Sequence, residues 1–272
     1  MAGLRDLDAY LERIGVRGRP DVAELHRAHA TRIPFENLDP ANGRPASLDL
    51  DRLEDKLVAR RRGGYCFEQN LLLMGALEAL GHDRVTPMLA RVRAASPERR
   101  GAGGAAAEMR PRTHLLLRLD TAGEAWHLDV GFGGDGLLDP IPFGPGGEYE
   151  QAGWRYRVVE DGRELVLQMR DGDTWADQYG FVPEEAPFVD IETSNWFVST
   201  WPNSPFVTGV IVGGQDPGVH RRLMVRGGAI YTESTPASVE TTAVELEDVA
   251  GLMASRFGIE GVALSAEGRL VI

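Results

Sequence analysis

The chain of 272 residues contains one cysteine and one lysine, and it lacks any long uninterrupted hydrophobic run. A single cysteine excludes an internal disulfide, as is typical of proteins from a reducing compartment. The longest apolar stretch, NLLLMGALEAL at 70–80, is too short to span a bilayer and contains a glutamate. The N-terminal MAGLRDLDAYLERIG has acidic residues where a signal peptide would be apolar. We therefore expect a cytoplasmic protein that has no membrane partner.

Acidic residues outnumber basic ones, 41 to 29, so the formal net charge is −12 at pH 7. This balance argues against a nucleic-acid partner, which would require neutralisation of phosphates by a basic surface. Hydrophobic residues make up 43% and charged residues 26% of the chain, which is ordinary for a globular protein. Arginine, alanine and glycine are abundant, and we interpret the near absence of lysine as a compositional bias.

The first part of the chain has the apolar spacing of helices. Four helices are predicted, near 4–14, 21–31, 50–57 and 66–80. Gly15 and Gly81 are placed to end the first and the last of them.

After Gly81 the pattern changes to short β-rich segments separated by Gly, Asp and Pro. Strands are predicted at RVTPMLARVRA, THLLLRLD, AWHLDVGF, WRYRVVED and RELVLQMR, then at FVTGVIVGG, RRLMVRGG and AIYTESTP. A Gly/Ala-rich segment near 96–110 predicts a mobile loop, and 244–257 predicts a last helix. Helices, then an antiparallel sheet or small barrel, then a mixed segment indicate an α+β protein in three parts.

Cys66 follows the glycine pair 63–64 and begins the fourth predicted helix. The positive end of a helix favours thiolate over thiol, and arginines at 60–62 add positive potential. The glycines permit a tight backbone approach and would leave the sulfur uncovered on one side. A buried core cysteine is the ordinary alternative for this residue type, but such a position does not need two glycines before it.

An activated cysteine usually needs a base, and six histidines are available. His26 and His29 lie on one predicted helix, but no third ligand at metal spacing accompanies them, so we predict a packed or solvated pair and no metal site. His82 follows the helix-ending Gly81, and His220 is predicted to lie in a polar turn. His114 and His127 remain as candidates.

Both candidates are compatible with Asp129 as the residue that orients the base. His127 and Asp129 are two apart on a predicted strand and so share a face, although a separation of roughly 7 Å is long for a hydrogen bond. A hairpin would bring His114 next to Asp129 as a cross-strand neighbour. The residues favour His114 and leave His127 open.

Five segments together resemble the arylamine N-acetyltransferases. The active-site segment of that family is similar to RGGYCFEQN at 62–70. The other four similar segments, in the family's order, are IPFENLD at 33–39, PRTHLLL at 111–117, LDVGFGG at 128–134 and NWFVSTWPNSPF at 195–206. The resemblance implies a helical bundle over 1–84, an antiparallel β-barrel over 85–190 and an α/β lid over 191–272.

The resemblance also implies roles for individual residues. Cys66, His114 and Asp129 match the family's catalytic triad, which favours His114 over His127. Glu36 and Arg62 match an ion pair, and Asn70 matches an asparagine that supports the site. Residues matched to the aromatic-amine pocket are Phe35, Phe132 and Phe206, and the glycines expected near the CoA pyrophosphate are Gly131, Gly133 and Gly134.

By the same resemblance, the substrates are an aromatic amine or hydrazine and acetyl-CoA, with no tightly bound cofactor. Cys66 takes the acetyl group from CoA and passes it to the amine, so ping-pong kinetics are expected. Two departures from the family bear on substrate size. The segment between Cys66 and His114 is lengthened by the 96–110 loop, and TWPNSPF places Trp201 and Asn203 near Phe206.

Three other readings remain open on the sequence. A related amide synthase, which closes macrolactams in antibiotic biosynthesis, would use a polyketide on an acyl carrier protein as its donor and partner. A transglutaminase-like or papain-like hydrolase also uses Cys, His and Asp or Asn, but IPFENLD and PRTH argue against it. A non-enzymatic binding module predicts that Cys66 has ordinary thiol reactivity.

Overall fold

The computed structural model describes residues 3–93 and 110–272. The segment predicted as a mobile loop at 96–110 lies, apart from Arg110, outside these residues. Within the described part of the chain, no helix is both long enough and apolar enough to cross a membrane.

The helices of the first part follow the predicted pattern. Asp21 caps the second helix by accepting a hydrogen bond from the Glu24 amide, and Gly15 ends the first helix at φ 78°, a conformation that favours glycine. The predicted helix at 50–57 is an α-helical turn followed by a π-helical turn, Glu54–Ala59. The helices are α1 Leu7–Ile14, α2 Val22–Arg32, α3 Leu38–Ala41, α4 Leu50–Leu53, α5 Cys66–Ala79, α6 Phe188–Thr200, α7 Pro205–Thr208 and α8 Val249–Phe257.

The described strands form one large sheet and two smaller ones, all antiparallel. In chain order they are β1 Phe35–Glu36, β2 Val85–Val92, β3 His114–Asp120, β4 Ala125–Leu128, β5 Ile141–Pro142, β6 Glu148–Gln151, β7 Trp154–Asp161, β8 Glu164–Asp171, β9 Thr174–Phe181, β10 Val210–Asp216, β11 Val219–Val225, β12 Ala229–Ser234, β13 Val239–Val244, β14 Ala263–Leu264 and β15 Leu270–Val271.

The large sheet has the order β5-β4-β3-β2-β9-β8-β7-β6 and is nearly closed into a barrel. The second sheet has the order β1-β10-β11-β12-β13, and α8 packs against it through Met253 and Phe257. The α+β class predicted from the sequence is confirmed, as is the combination of helices with an antiparallel barrel.

The two boundaries of the predicted three-part division can be compared with the observed helices and strands. The boundary at 84/85 lies between α5 and β2, whereas the boundary at 190/191 falls inside α6. Strand β1 from the first part pairs with β10, with Glu36 opposite Val212, so the first part contributes an edge strand to the last sheet. The division itself remains a prediction.

Some elements of the structure differ from the prediction. The last helix begins at Val249 rather than 244, because residues 239–244 complete a β-hairpin with β12. FVTGVIVGG does not begin as a strand, since Pro205 starts the short helix α7 and β10 begins only at Val210. Helix α6 and strand β9 carry no predicted element, and β9 lies in the interior of the large sheet.

Helix α5 lies at the junction of the helical part and the barrel. Nearly every one of its residues is buried, including the polar Gln69 and Asn70. The Asn70 side chain donates a hydrogen bond to the Leu115 carbonyl of β3 at 2.7 Å. This contact aligns the first turn of α5, which begins with Cys66, with the first residues of β3, which begins with His114.

Candidate active site

Cys66 is the first residue of α5, and the two glycines before it allow the chain to pass close to 34–36. A Cβ on Gly63 would lie 2.2 Å from the Pro34 carbonyl oxygen. Gly64 donates to that oxygen at 3.2 Å and accepts from the Glu36 amide at 3.1 Å. The glycines therefore permit the close backbone approach expected from the sequence.

The sulfur is less open than expected. Cys66 is only 3% exposed, and the segment after β4 passes close to its backbone. A Cβ on Gly131 would lie 2.6 Å from the Cys66 Cα atom. The thiol contacts the Thr113 carbonyl oxygen at 3.7 Å, next to His114. The glycine pair thus fits one backbone against another and does not leave the sulfur uncovered.

His114 and Asp129 form a buried pair. The His114 Nε2 atom lies 2.7 Å from Asp129 Oδ2, and both residues are at most 2% exposed. The register of β3 and β4 pairs Leu117 with Leu128, so Asp129 follows the last paired residue and reaches His114 as a diagonal neighbour. Since Asp129 occupies Nε2, Nδ1 is the ring nitrogen left for the thiol.

The Asp129 carboxylate has three donors. Its Oδ1 accepts from Asn70 Nδ2 at 3.0 Å and from the Gly131 amide at 2.9 Å, while His114 binds Oδ2. Burial alone would raise the pKa of this carboxyl, but the His114 charge and the hydrogen bonds lower the pKa to about 2. Asp129 is therefore ionised at every ordinary pH.

The same interactions hold a proton on His114. Burial opposes the charged ring, yet the Asp129 charge, its hydrogen bond and the hydrogen bond with Cys66 raise the pKa of His114 to about 10. A neutral imidazole with so high a pKa can take the proton of a thiol beside it, and the products are the imidazolium and thiolate of an ion pair.

His127, the other candidate base, has a different environment. Its Nε2 atom lies 2.7 Å from the hydroxyl of Tyr179 on β9 rather than beside Asp129. Burial lowers the pKa of His127 to about 4, so this ring is neutral at pH 7. The structure therefore brings His114, and not His127, into contact with Asp129.

Four buried charges and the partly buried Asp39 form a network that holds the chain on either side of Cys66. Arg62 Nη2 lies 2.6 Å from Glu36 Oε1, so the residues predicted to form an ion pair are in contact.

Lys56, the only lysine, bonds to Glu68 and Asp39 at 2.8 Å each. Glu68 in turn accepts from the Tyr65 amide at 3.0 Å, at the start of α5. The network links the π-helical turn, α3 and the first turn of α5.

The three predicted pocket phenylalanines lie in two groups. The rings of Phe35 and Phe206 have centroids 6.0 Å apart, and Tyr65 meets Phe206 edge-on at 5.8 Å. Phe132 lies elsewhere, edge-on to the His114 ring at 5.2 Å and packed against the barrel core. One group of aromatic rings therefore includes Tyr65, the residue before Cys66, and the other lies against the His114 ring.

The three predicted CoA glycines have different surroundings. The Gly131 amide is already bonded to Asp129. Gly133 has φ +88°, a left-handed conformation that favours glycine, and it faces the Phe35 ring. A Cβ on Gly134 would lie 2.7 Å from the Arg221 carbonyl oxygen of β11. Gly131 and Gly134 thus permit close packing, and Gly133 supplies the turn.

Comparison with known proteins adds to this geometry. The sequence profile of a family described as N-acetyltransferase matches residues 20–264. The arylamine N-acetyltransferase of Mycolicibacterium smegmatis is 36% identical over 94% of this chain and 92% of its own length. The chain belongs to the arylamine N-acetyltransferase family. It is therefore an acyltransferase, as the sequence predicted.

Solved structures agree with this assignment. The Mycobacterium marinum arylamine N-acetyltransferase in complex with CoA is 35% identical over 93% of both chains, with a TM-score of 0.84. The enzyme from Nocardia farcinica is 40% identical over 94% of this chain and 89% of its own, with a TM-score of 0.81. The similarity spans the helical part, the barrel and the C-terminal sheet.

Within this arylamine N-acetyltransferase fold, one histidine prediction was wrong. His220 lies in strand β11 and not in a turn; it is 4% exposed and stacks on Trp154 with ring centroids 4.2 Å apart. The Asp-Pro-Gly sequence before it does form a turn, but that turn ends at Gly218. His26 and His29 are packed, as predicted, since both are fully buried.

Sequence reasoning missed residues whose roles depend on tertiary contacts. Composition explains Lys56 only as part of a bias, although a lone lysine near two acids in an arginine-rich chain is a usable signal. Tyr179 lies on a strand that was not predicted. The sequence predicts only a packed or solvated pair for His26 and His29, but His26 accepts a hydrogen bond from the Asp129 amide. Among the described residues, no group of three His, Cys, Asp or Glu side chains could hold a metal ion.

Proposed function

We propose that this protein transfers an acetyl group from acetyl-CoA to an aromatic amine or hydrazine through an acetyl-Cys66 intermediate. The observation that carries the proposal is the His114–Asp129 pair at 2.7 Å, with the Cys66 thiol 3.7 Å from the carbonyl oxygen of Thr113, the residue before His114. The names of the relatives and the CoA complex of the Mycobacterium marinum protein support the two substrate classes.

In the first half-reaction, the Cys66 thiolate attacks the thioester carbon of acetyl-CoA. A new carbon–sulfur bond to Cys66 forms, the bond to the CoA sulfur breaks, and the His114 imidazolium donates its proton to the leaving CoA thiolate. Asp129 stays ionised and holds the ring in place throughout.

In the second half-reaction, the amine nitrogen attacks the acetyl carbon on Cys66. A carbon–nitrogen bond forms, the bond to the Cys66 sulfur breaks, and neutral His114 takes a proton from the amine. The thiolate and imidazolium are thereby regenerated. The site needs no redox step and no oxidant.

The aromatic residues support an aromatic acceptor. Phe35 and Phe206 pack beside Tyr65, which precedes Cys66, and Phe132 lies against the His114 ring. Flat apolar rings at these positions suit a planar amine. For the CoA pyrophosphate we propose contacts with the backbone at Gly133 and Gly134, since the Gly131 amide already serves Asp129.

An acyl-donor panel tests this function. Acetyl-CoA and a carrier-bound acyl thioester are offered with an aniline, and initial rates are measured while both substrates are varied. Acetyl-CoA should support turnover with parallel double-reciprocal lines, the pattern of a ping-pong reaction. Turnover only with the carrier-bound donor would instead indicate an amide synthase. Intersecting lines would exclude the acyl-enzyme route.

A further inference from the structure

A buried histidine in α2 reaches the segment that carries Asp129. His26 is 0% exposed; its Nε2 atom lies 3.1 Å from the Asp129 amide nitrogen, and its Nδ1 atom lies 3.1 Å from the Leu138 carbonyl oxygen. An amide can only donate and a carbonyl can only accept. The ring is therefore neutral, with its proton on Nδ1 and its lone pair on Nε2.

These two contacts hold both ends of one segment. Residues 129–138 begin with the carboxylate that binds His114 and pass over the start of α5 through Gly131. At the far end, Gln151 Oε1 accepts from the Leu138 amide at 2.8 Å, while His26 binds the Leu138 carbonyl. One side chain from the helical part thus joins the two ends of the segment that covers Cys66.

The neutrality of the ring matters because charged and titratable groups face it from several sides. Asp129 and Asp139 lie near it on the segment after β4, His29 lies on its own helix, and His127 lies on β4. Burial lowers the pKa of His26 and outweighs the two carboxylates. A neutral acceptor binds the backbone of Asp129 without competing with His114 for the carboxylate charge.

We propose that His26 is a positioning residue for acyl transfer: by holding the backbone of Asp129 and Leu138, it keeps the Asp129 carboxylate directed at His114. The inference rests on the proposed roles of Asp129 and His114. In this role, His26 acts on the reaction through the backbone of Asp129 and Leu138 and not by direct contact with the Cys66 sulfur or the substrates.

Two variants of similar size separate the two contacts. In His26→Gln, the longer amide reaches the former Nε2 position and can accept from the Asp129 amide. In His26→Asn, the shorter amide reaches only the former Nδ1 position and can donate to Leu138. Tyr10→Phe is the matched control, because it removes a buried hydrogen bond to His29 on the same helix without touching the segment 129–138.

The readouts are kcat, the two KM values, the melting temperature, and the NMR signal of the His114 ring proton bound to Asp129. We expect kcat of His26→Asn to fall by about 10- to 100-fold, as for a displaced catalytic group, with both KM values little changed. His26→Gln should retain more activity, and Tyr10→Phe should keep the wild-type kcat. The His114 signal should weaken or shift in His26→Asn and persist in His26→Gln.

If both His26 variants fold and each keeps the wild-type kcat and the wild-type His114 signal, the inference is overturned. A loss in Tyr10→Phe as large as in His26→Asn would also overturn it, because packing alone would then explain the effect. Should His26→Asn fail to fold, His26→Gln decides the matter: wild-type His114 geometry supports the inference and a lost signal contradicts it. The NMR readout needs no substrate, so wild-type protein that fails to acetylate amines would refute the proposed function alone.

Discussion

The Asp129 carboxylate and the His114 ring meet at 2.7 Å in a site where both are at most 2% exposed. Each partner changes the other's protonation: the carboxylate raises the pKa of His114 to about 10, and the imidazolium helps to lower the pKa of Asp129 to about 2. The pair is thus charged over the whole neutral range, and the thiol of Cys66 lies beside its positive end.

Asp129→Asn should remove this charge while leaving the fold in place. The amide can still accept from Asn70 and the Gly131 amide, but it no longer stabilises an imidazolium. The comparable change in Ser–His–Asp hydrolases lowers kcat by about 10⁴-fold, and we expect a loss of orders of magnitude here. Steady-state rates measure it, and circular dichroism checks the fold. An unfolded product would mean that Asp129 is chiefly structural.

The pair also predicts how stability depends on pH. The folded pKa of His114, about 10, lies above its ordinary value of 6.5, so its contribution is complete below pH 6.5 and is lost as pH rises toward 10. For Asp129, the contribution is complete above pH 3.8 and is lost as pH falls toward 2. The difference in unfolding free energy between wild type and Asp129→Asn should therefore be largest between those limits. A difference that grew from pH 7 to pH 10 would contradict this.

Three other buried histidines have lowered pKa values, so their contribution to stability changes with pH in the opposite sense to that of His114. Burial lowers the pKa of His26, of His29 to about 3 and of His127 to about 4, so each gains a proton on unfolding below pH 6.5. Their contribution is present above pH 6.5 and is lost as pH falls, by up to about 1.4 kcal/mol per pH unit for each ring. Urea unfolding between pH 7 and pH 5 should show falling stability. His29→Gln should reduce the slope, and an unchanged slope would refute this origin.

The charge network around Lys56 should be important for stability. Burial alone would lower the pKa of this lysine, but Glu68, Glu36 and Asp39 raise it, so the ammonium is charged. In Lys56→Met, Glu36 keeps Arg62 and Asp39 keeps Arg62 and Arg44, but Glu68 has no cationic partner left among the described residues. The change should cost about 3–5 kcal/mol. The control is Arg60→Ala, which breaks an exposed pair with Asp55 and should cost at most about 1 kcal/mol. Equal costs would mean that the network is not specifically stabilising.

Glycine at 131 should be required for activity. An alanine Cβ would lie 2.6 Å from the Cys66 Cα atom, so the segment beside Cys66 must move. A displacement of about 1 Å can cost about 100-fold in rate, and we expect a loss of that order in Gly131→Ala. Gly146→Ala is the control, because nothing lies within 4 Å of its added methyl group. Normal rates in both variants would show that the segment adapts without cost.

Local signals were sufficient for much of the fold. Helices α1, α2 and α5 have capping residues and apolar spacing that depend only on neighbouring residues, and the strands β2, β3, β7 and β8 have strong β-rich composition. Strand β9, TWADQYGF, was missed because its polar residues weaken the pattern, although its last four residues are buried. The last helix was predicted to start at 244, but Val244 is the last residue of β13, which pairs with β12. Local spacing does not reveal that pairing.

The candidate site was predictable where a motif identified it. The pairing of His114 with Asp129 depends on the β3–β4 hairpin, and the residues alone left His127 open until the family resemblance favoured His114. The contact of His26 with the Asp129 amide joins residues 103 positions apart. No spacing rule predicts such a contact, and the same holds for the burial of Cys66 beneath Gly131.

The pH dependence of Cys66 alkylation by iodoacetamide tests the central claim most directly. If the sulfur is held as a thiolate by the His114 imidazolium, wild-type protein should be labelled well below pH 8, acetyl-CoA should protect it, and His114→Ala should require higher pH. Labelling of wild type only at the pH of an ordinary thiol, with no effect of His114→Ala, would contradict the account.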